Sequence, residues 1–420
     1  AAGEETGPWL KCGGDFVLTN GATLDVHSAL TQNPEPMDKT MFEVNGSIYW
    51  PRYLGEGTVY TRSIRNMPLA ENSRRIAEYM PKMPEKWNGC GVVTSYNTMS
   101  YNLPVYVLDS TDTNTPLVRI DGRGSESHRR MMFSNISTNM DNSEFQFEPF
   151  GKYPLPDWAI PAYPHYDGDV ALGLYDIGTG VVREYFLIKP ETNRAWRAAY
   201  GGYWPDMWHL ARDNYACQHK EGSDFVVAML GALGQVGIEE ARRGEIRHAI
   251  IFTAADAKFR TTSWPARQND GKDMNPDAPA QGQWFRFPPD LDVDALKLRP
   301  LTKLLVKTAQ KYGGFASDKN WWCHAFNFEP GIVEAHKNGG QDPWLPGGDL
   351  YEKYGEINLN DFPWELTEGA PVDWGKPEDP AKPGTCGAFL NIGGALKVLA
   401  DSRLYPHSNP TNGGSASFMV

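Results

Sequence analysis

The sequence predicts a mainly β protein: a β-sandwich of jelly-roll type, with two helices packed against it and long irregular arms rich in Pro and Gly. Three observations predict it. Gly (42) and Pro (32) are spread along the 420 residues rather than clustered. The segments between them are short and rich in Val, Ile, Tyr, Phe and Thr, which suit a pleated surface. Hydrophobic residues make up 40% and charged residues 22%, a balance that supports a core and argues against disorder.

Taken in order, "DFVLTNGATLDV" (15–26) has two apolar runs around Asn20-Gly21 and predicts a hairpin. "SIYWPRYL", "GTVYTRSI", "CGVVTSYNTMSYNLPVYVLD" and "PLVRIDG" continue the short-strand pattern. "DVALGLYDIGTGVVREYFLI" predicts strand, turn, strand, with Gly178 and Gly180 in the turn. "GIEEARRGE" predicts a short helix near 238–243 closed by Gly244. "RPLTKLLVKTAQKYGG" predicts a longer one over 300–312. Pro300 sits at its first position, where a missing N–H costs nothing, and Leu301, Leu304, Leu305, Thr308 and Tyr312 share one face. Gly313 ends it. "GFASDKNWWCHAF" returns as a strand, and 385–404 predicts a last turn and helix. A proline-rich, aromatic stretch at 148–169 sets a boundary. The resulting division is a β-rich N-terminal lobe (1–150), a β-sandwich core (151–336) and an irregular C-terminal arm (337–420).

Charge and motifs exclude several classes. The net charge of -12 argues against nucleic acid and anionic membranes as partners, because both require a basic face. No run reaches the roughly 18–20 apolar residues of a membrane span. There is no GxSxG elbow, Walker loop, GxGxxG turn or HExxH helix, so nucleotide chemistry and serine-nucleophile chemistry are set aside. The opening "AAGEETGPW" reads as a mature end left by a signal peptidase, which places the protein outside the cell or on its surface. In that oxidising setting the widely spaced cysteines predict disulfides, with Cys12–Cys90 and Cys217–Cys323 as the expected pairs and Cys386 left over.

The chain holds 14 Trp and 19 Tyr. In "RAWRAAYGGYWPDMWHLARDNYAC" (194–217), Trp196, Tyr203, Trp204 and Trp208 fall close together, with Arg197 and Asp206 beside them. Rings on a loop suit stacking against sugar faces, and the competing reading is a satellite hydrophobic cluster. In "NWWCHAF", a regular strand would turn one of Trp321 and Trp322 inward and the other outward. In "GEIRHAIIF", strand alternation sets Ile246, His248, Ile250 and Phe252 on one face. His248 is then either a hydrogen-bonded packing residue or the lining of a cleft.

The succession "GEIRHAIIF … SWPARQNDG … QGQWFRFPPDLDV … LLVKTAQKYGGFASD", preceded by "YDGDVALGLYDIGTGVVREYF", resembles a group of secreted bacterial, especially actinobacterial, β-sandwich proteins over roughly residues 150–330. That resemblance points to Asp167, Glu184, His248, Pro265, Arg267 and Asp318. Asp169 stands where the group has the histidine of an Asp-x-His pair.

Glycoside hydrolysis requires two carboxyl groups flanking the bond, and Asp167, Asp169, Glu184 and Asp318 are the candidates. Trp196, Tyr203, Trp204, Trp208, Arg267 and Trp321 are the candidate saccharide contacts. No cofactor is required. Asp290, Asp292 and Asp294 alternate in "PDLDVDAL" and admit a structural calcium ion. The sequence therefore predicts a secreted protein that binds a polysaccharide and cleaves it with an acid pair. Its rival is a structural subunit of an extracellular assembly, a filament or coat, with copies of itself as neighbours.

Overall fold

The computed structural model describes most of residues 59–121, 150–204 and 231–376, with Val227. Breaks fall at 62, 88–90, 99–101, 161–169, 177–180, 199, 267–268, 338–339 and 357. At the chain ends it describes only the backbone of four strands, Val17–Val26, Phe389–Lys397, Tyr405–Pro406 and Ser417–Met419.

A six-stranded sheet organises the molecule. Its order is Glu368–Gly369, Trp284–Arg286, Gly314–Lys319, Ile250–Ala254, His324–Asn327 and Thr94–Asn97. The strand Ile250–Ala254 is apolar except for Thr253, as expected of a strand covered on both faces. It pairs in parallel with Gly314–Lys319. Parallel neighbours need a crossover, and the helix Pro300–Tyr312 lies between them in sequence. Alternation then divides the core. Ile250, Phe252 and Ala254 share a cluster with Leu301, Leu305, Val306 and Ala309 of that helix. Ile251 faces the other way, into a cluster with Trp284 and Phe315. The approach is tight there, since a Cβ on Gly234 would lie 2.4 Å from Ile251 Cγ2.

That second cluster also holds Val105, Ala171, Tyr175 and Val182. They belong to a four-stranded sheet ordered Tyr200–Trp204, Val181–Phe186, Ala171–Asp176 and Val105–Leu108. Its opposite face, with Leu108, Leu172, Leu174 and Tyr185, packs on Val118, Ile120, Tyr153 and Trp196. Those four come from a sheet ordered Gly151–Pro154, Leu117–Asp121, Ala195–Arg197 and Lys189–Thr192. The layers therefore run helix, sheet, sheet, sheet. The two smaller sheets share one apolar filling, as in a sandwich. The end strands form a further sheet, ordered Val17–Val26, Phe389–Lys397, Ser417–Met419 and Tyr405–Pro406.

The protein is sheet-rich with few helices, and both predicted helices occur as read, Ile238–Arg243 and Pro300–Tyr312. Gly244 closes the first with φ 72° and Gly313 the second with φ 73°. Other readings are corrected. A jelly roll is antiparallel, whereas four pairings among the described strands are parallel. Asn20-Gly21 lies at a bulge within one strand paired to Phe389–Lys397, not in a hairpin turn. Phe389–Lys397 is itself a strand where a helix was read. "GFASDKNWWCHAF" is two strands with a turn at 320–323. Strands from before 150, from 151–336 and from after 337 share the six-stranded sheet, so both sequence divisions fall inside common structure. No helix of the described residues is long and apolar enough to cross a membrane.

Leu305 has no exposure at the helix–sheet contact, whereas Leu304 is only partly buried. Leu305→Ala is expected to cost about 2–5 kcal/mol in urea unfolding and Leu304→Ala clearly less. Equal costs would contradict this assignment of the helix face.

Candidate functional site

The turn 320–323 places two tryptophans outside the core. The Asn320 and Trp321 amides donate to the carbonyls of Ala254 and Ala255, each at 3.0 Å, which fixes the turn to the end of the neighbouring strand. The Asn320 side chain accepts from the Trp322 amide at 2.8 Å. Trp321 is held at φ 56°, a left-handed conformation that costs a non-glycine residue about 1–2 kcal/mol. Strain of this kind persists only where its surroundings enforce it, and it concentrates at functional positions.

Trp87 lies alongside. Its ring is near-parallel to that of Trp321, with centroids 6.0 Å apart and 29° between planes. That separation exceeds face-to-face contact of about 3.5–4 Å, so the rings are offset and form a step. Trp87, Trp321 and Trp322 are 43%, 49% and 54% exposed. Trp87 and Trp321 set two solvent-open rings side by side and the exposed Trp322 follows directly in the chain, and exposed aromatic area of this kind marks a binding surface.

Two lysines frame the step. Lys319 Nζ sits 3.8 Å from the Trp321 ring centroid, a cation–π contact, and pairs with Asp270 Oδ2 at 3.0 Å. Asp270 is held by Gln281, whose side chain donates to Oδ1 at 2.8 Å and accepts from the Asp270 amide at 2.9 Å. Lys86 pairs with Asp273 Oδ2 at 3.0 Å and also donates to the Tyr79 hydroxyl, which in turn donates to Asp273 at 2.6 Å. Burial works against ionisation of Asp273. The Tyr79 hydroxyl, the Asn275 amide and Lys86 outweigh it and hold its carboxyl below the usual range. Met83, Ala255 and Ala278, with Tyr79 against them, form a small apolar cluster on the same segments.

The sequence candidates divide sharply. Trp321 belongs to the step, and Asp318 lies on the strand leading to it, its carboxylate accepting from the Lys319 amide at 2.7 Å. Trp322 is exposed as Trp321 is, and neither faces the core, because the segment is a turn and not a regular strand. Trp196 is 2% exposed within the sandwich filling, so it is a packing residue and not a stacking platform. Tyr203 and Trp204 lie on the strand Tyr200–Trp204, of whose side chains nothing is described. Asp167, Asp169, Trp208 and Arg267 lie outside the described residues, as do Cys12, Cys90, Cys217 and Cys386. Cys323 is buried, with its sulfur 3.4 Å from the Ser95 hydroxyl. Asp292 caps the turn Val293–Ala295 and Asp294 pairs with Lys307 at 2.9 Å, so two of the three alternating aspartates serve local structure. Among the described residues, no three His, Cys, Asp or Glu side chains converge as metal ligands.

Glu184 and His248 are sealed. Glu184 Oε1 accepts from the Ala232 amide at 2.7 Å, satisfying the start of the helix Gly231–Gly234. His248 precedes the strand that was read as containing it. Its Nδ1 donates to the Ala249 carbonyl at 2.8 Å and its Nε2 meets Glu240 Oε2 at 3.0 Å. Burial opposes charge on the imidazole, but the Glu240 carboxylate outweighs it and the net shift is upward. Nearby, burial pushes Glu329 up to about 8 despite a bond from the Ile238 amide. His324 is held neutral, pushed down to about 4 by burial, with Nε2 donating to the Met80 carbonyl. Sequence reasoning missed Trp87, Lys319 and Asp270, which lie far apart in the chain and share no local pattern.

The chain matches no protein-family model, no curated protein and no solved structure.

His248→Ala leaves the Glu240 carboxylate sealed without its cation and is expected to cost about 3–5 kcal/mol of stability. The pH dependence has a definite sign. A raised histidine contributes fully below about 6.5 and loses its contribution as pH rises through its folded value. Glu329 keeps its proton in the folded state to about 8 but releases it near 4.5 when unfolded, so it also lowers stability as pH rises between those values. Urea midpoints should therefore fall from pH 5 to 8, by up to about 1.4 kcal/mol per pH unit for each proton. Glu329→Gln should flatten part of that fall, and an unchanged slope would contradict the assignment.

Proposed function

We propose that this chain is an extracellular carbohydrate-binding protein whose saccharide docks on the Trp87–Trp321–Trp322 step. The single observation that carries the reading is a pair of solvent-open tryptophans on a strained, hydrogen-bonded turn, with the open ring of Trp87 set against one of them, where a merely structural turn would place a small or polar residue. Indole faces bury the apolar faces of pyranose rings, while flanking polar groups meet the hydroxyls. Asp270 is 32% exposed at its side chain and Lys86 47%, so both are within reach of solvent beside the rings.

Binding fits this surface better than cleavage. A glycosidase needs one carboxyl held protonated, by burial or by a neighbouring negative charge. Asp273 is shifted the other way, and Asp270 is tied to Lys319. Export and the resemblance to secreted bacterial β-sandwich proteins belong to the same reading.

A depletion assay against insoluble polysaccharides and a glycan array test it. Trp321→Ala and Trp87→Ala should each weaken binding about tenfold or more, equivalent to about 1.4 kcal/mol, with little change in melting. Trp321→Gly should abolish binding while keeping stability within about 1 kcal/mol, because it relieves the left-handed strain. Trp196→Ala should instead cost about 3–5 kcal/mol of stability. Saccharide retention unchanged in both ring variants would overturn the proposal.

A further inference from the structure

We infer that the step is specific for uncharged polysaccharide, and that Asp270 and Asp273 are the residues that set this preference; the inference rests on the saccharide reading above. A tryptophan platform with lysines beside it would ordinarily favour acidic glycans, since an unpaired ammonium attracts carboxylate or sulfate. Here neither ammonium is left uncompensated. Lys319 has its carboxylate in Asp270 and Lys86 has its own in Asp273, both at 3.0 Å. Both carboxylates are fixed from behind, Asp270 by Gln281 and Asp273 by the Tyr79 hydroxyl and the Asn275 amide. Gln281 has no exposure, so the Asp270 bracket is part of the core and does not yield to an incoming anion.

The wider charge balance agrees. In the three segments that build the step, residues 79–87, 270–274 and 318–322, four lysines are matched by four carboxylates. The whole chain carries -12, which repels a polyanion at long range. An acidic glycan would have to displace Asp270 or Asp273 from its lysine and leave that carboxylate beside its own charge. A neutral chain needs no such exchange, because its hydroxyls can donate to Asp270 and accept from Lys86 with both ion pairs intact.

The test compares the intact protein on neutral polysaccharides (glucan, mannan, chitin) with its binding to polyuronate and sulfated glycans, at about 0.05 and about 0.5 M salt. Neutral chains should bind with less than about a twofold change between the two salts, and acidic chains should bind at least about tenfold more weakly at both. Asp270→Asn, which leaves Lys319 charged and uncompensated, should raise polyuronate affinity about tenfold at low salt and lose that gain at high salt. Preference of the wild type for an acidic glycan, lost with salt, overturns the specificity while leaving the platform in place. Absence of binding to every glycan overturns the platform itself, and this inference with it. The wild-type comparison decides the matter even if Asp270→Asn does not fold.

Discussion

The parallel pairing of Ile250–Ala254 with Gly314–Lys319 is the constraint on which the rest of the structure depends. Both strands end at the same edge of the sheet. The chain leaving the second must then reverse within four residues to enter His324–Asn327, which pairs antiparallel to the first. The amides of Asn320 and Trp321 take the carbonyls of Ala254 and Ala255, and the backbone of Trp321 is driven to positive φ. At the tip of this turn the side chains of Trp321 and Trp322 stand in solvent, while Cys323, at the entry to the next strand, is buried again. The exposure of Trp321 and Trp322 is thus a consequence of topology, and Trp87 completes the surface from a segment nearly 240 residues earlier.

The sealed acidic side chains serve a different purpose. Glu184, Glu240 and Glu329 each accept from an amide at or beside a helix start, those of Ala232, Gly237 and Ile238. The starts of these two short helices are buried and cannot offer those donors to water, so side-chain carboxyl oxygens take its place. His248 belongs to this arrangement, its Nε2 meeting the same Glu240 Oε2 that takes the Gly237 amide. Its burial explains why a histidine sits in an otherwise apolar run, and it places that residue with stability, apart from the solvent-facing rings.

Much of the local structure is legible in the sequence. Pro300, the 3.6-residue spacing of Leu301, Leu305 and Tyr312, and Gly313 fix a helix with both its ends. Gly244 does the same for Ile238–Arg243, and "DVALGLYDIGTGVVREYFLI" marks two paired strands. The sheet architecture was harder to read, because short strands separated by Gly and Pro look alike whether their partners run parallel or not. The signal was present: a helix lying between two apolar strands implies a crossover, and hence a parallel pair. The site was legible only in part. Trp321 and Asp318 stand out by type, but whether a tryptophan is exposed depends on turn geometry. Trp196, in the densest aromatic stretch of the chain, is packing, whereas the solitary Trp87 is surface. The contacts of Lys319 with Asp270 and Trp321 join segments that share no periodicity.

The central claim is that Trp87, Trp321 and Trp322 form one surface that a saccharide covers. Oxidation of indoles by N-bromosuccinimide, mapped by mass spectrometry with and without soluble neutral polysaccharide, tests it most directly. The account predicts that these three rings oxidise well before Trp196, Trp284, Trp344 and Trp364, which are buried, and that polysaccharide slows oxidation at all three together. Oxidation of the three at an unchanged rate in the presence of every polysaccharide, or protection confined to other tryptophans, would contradict it.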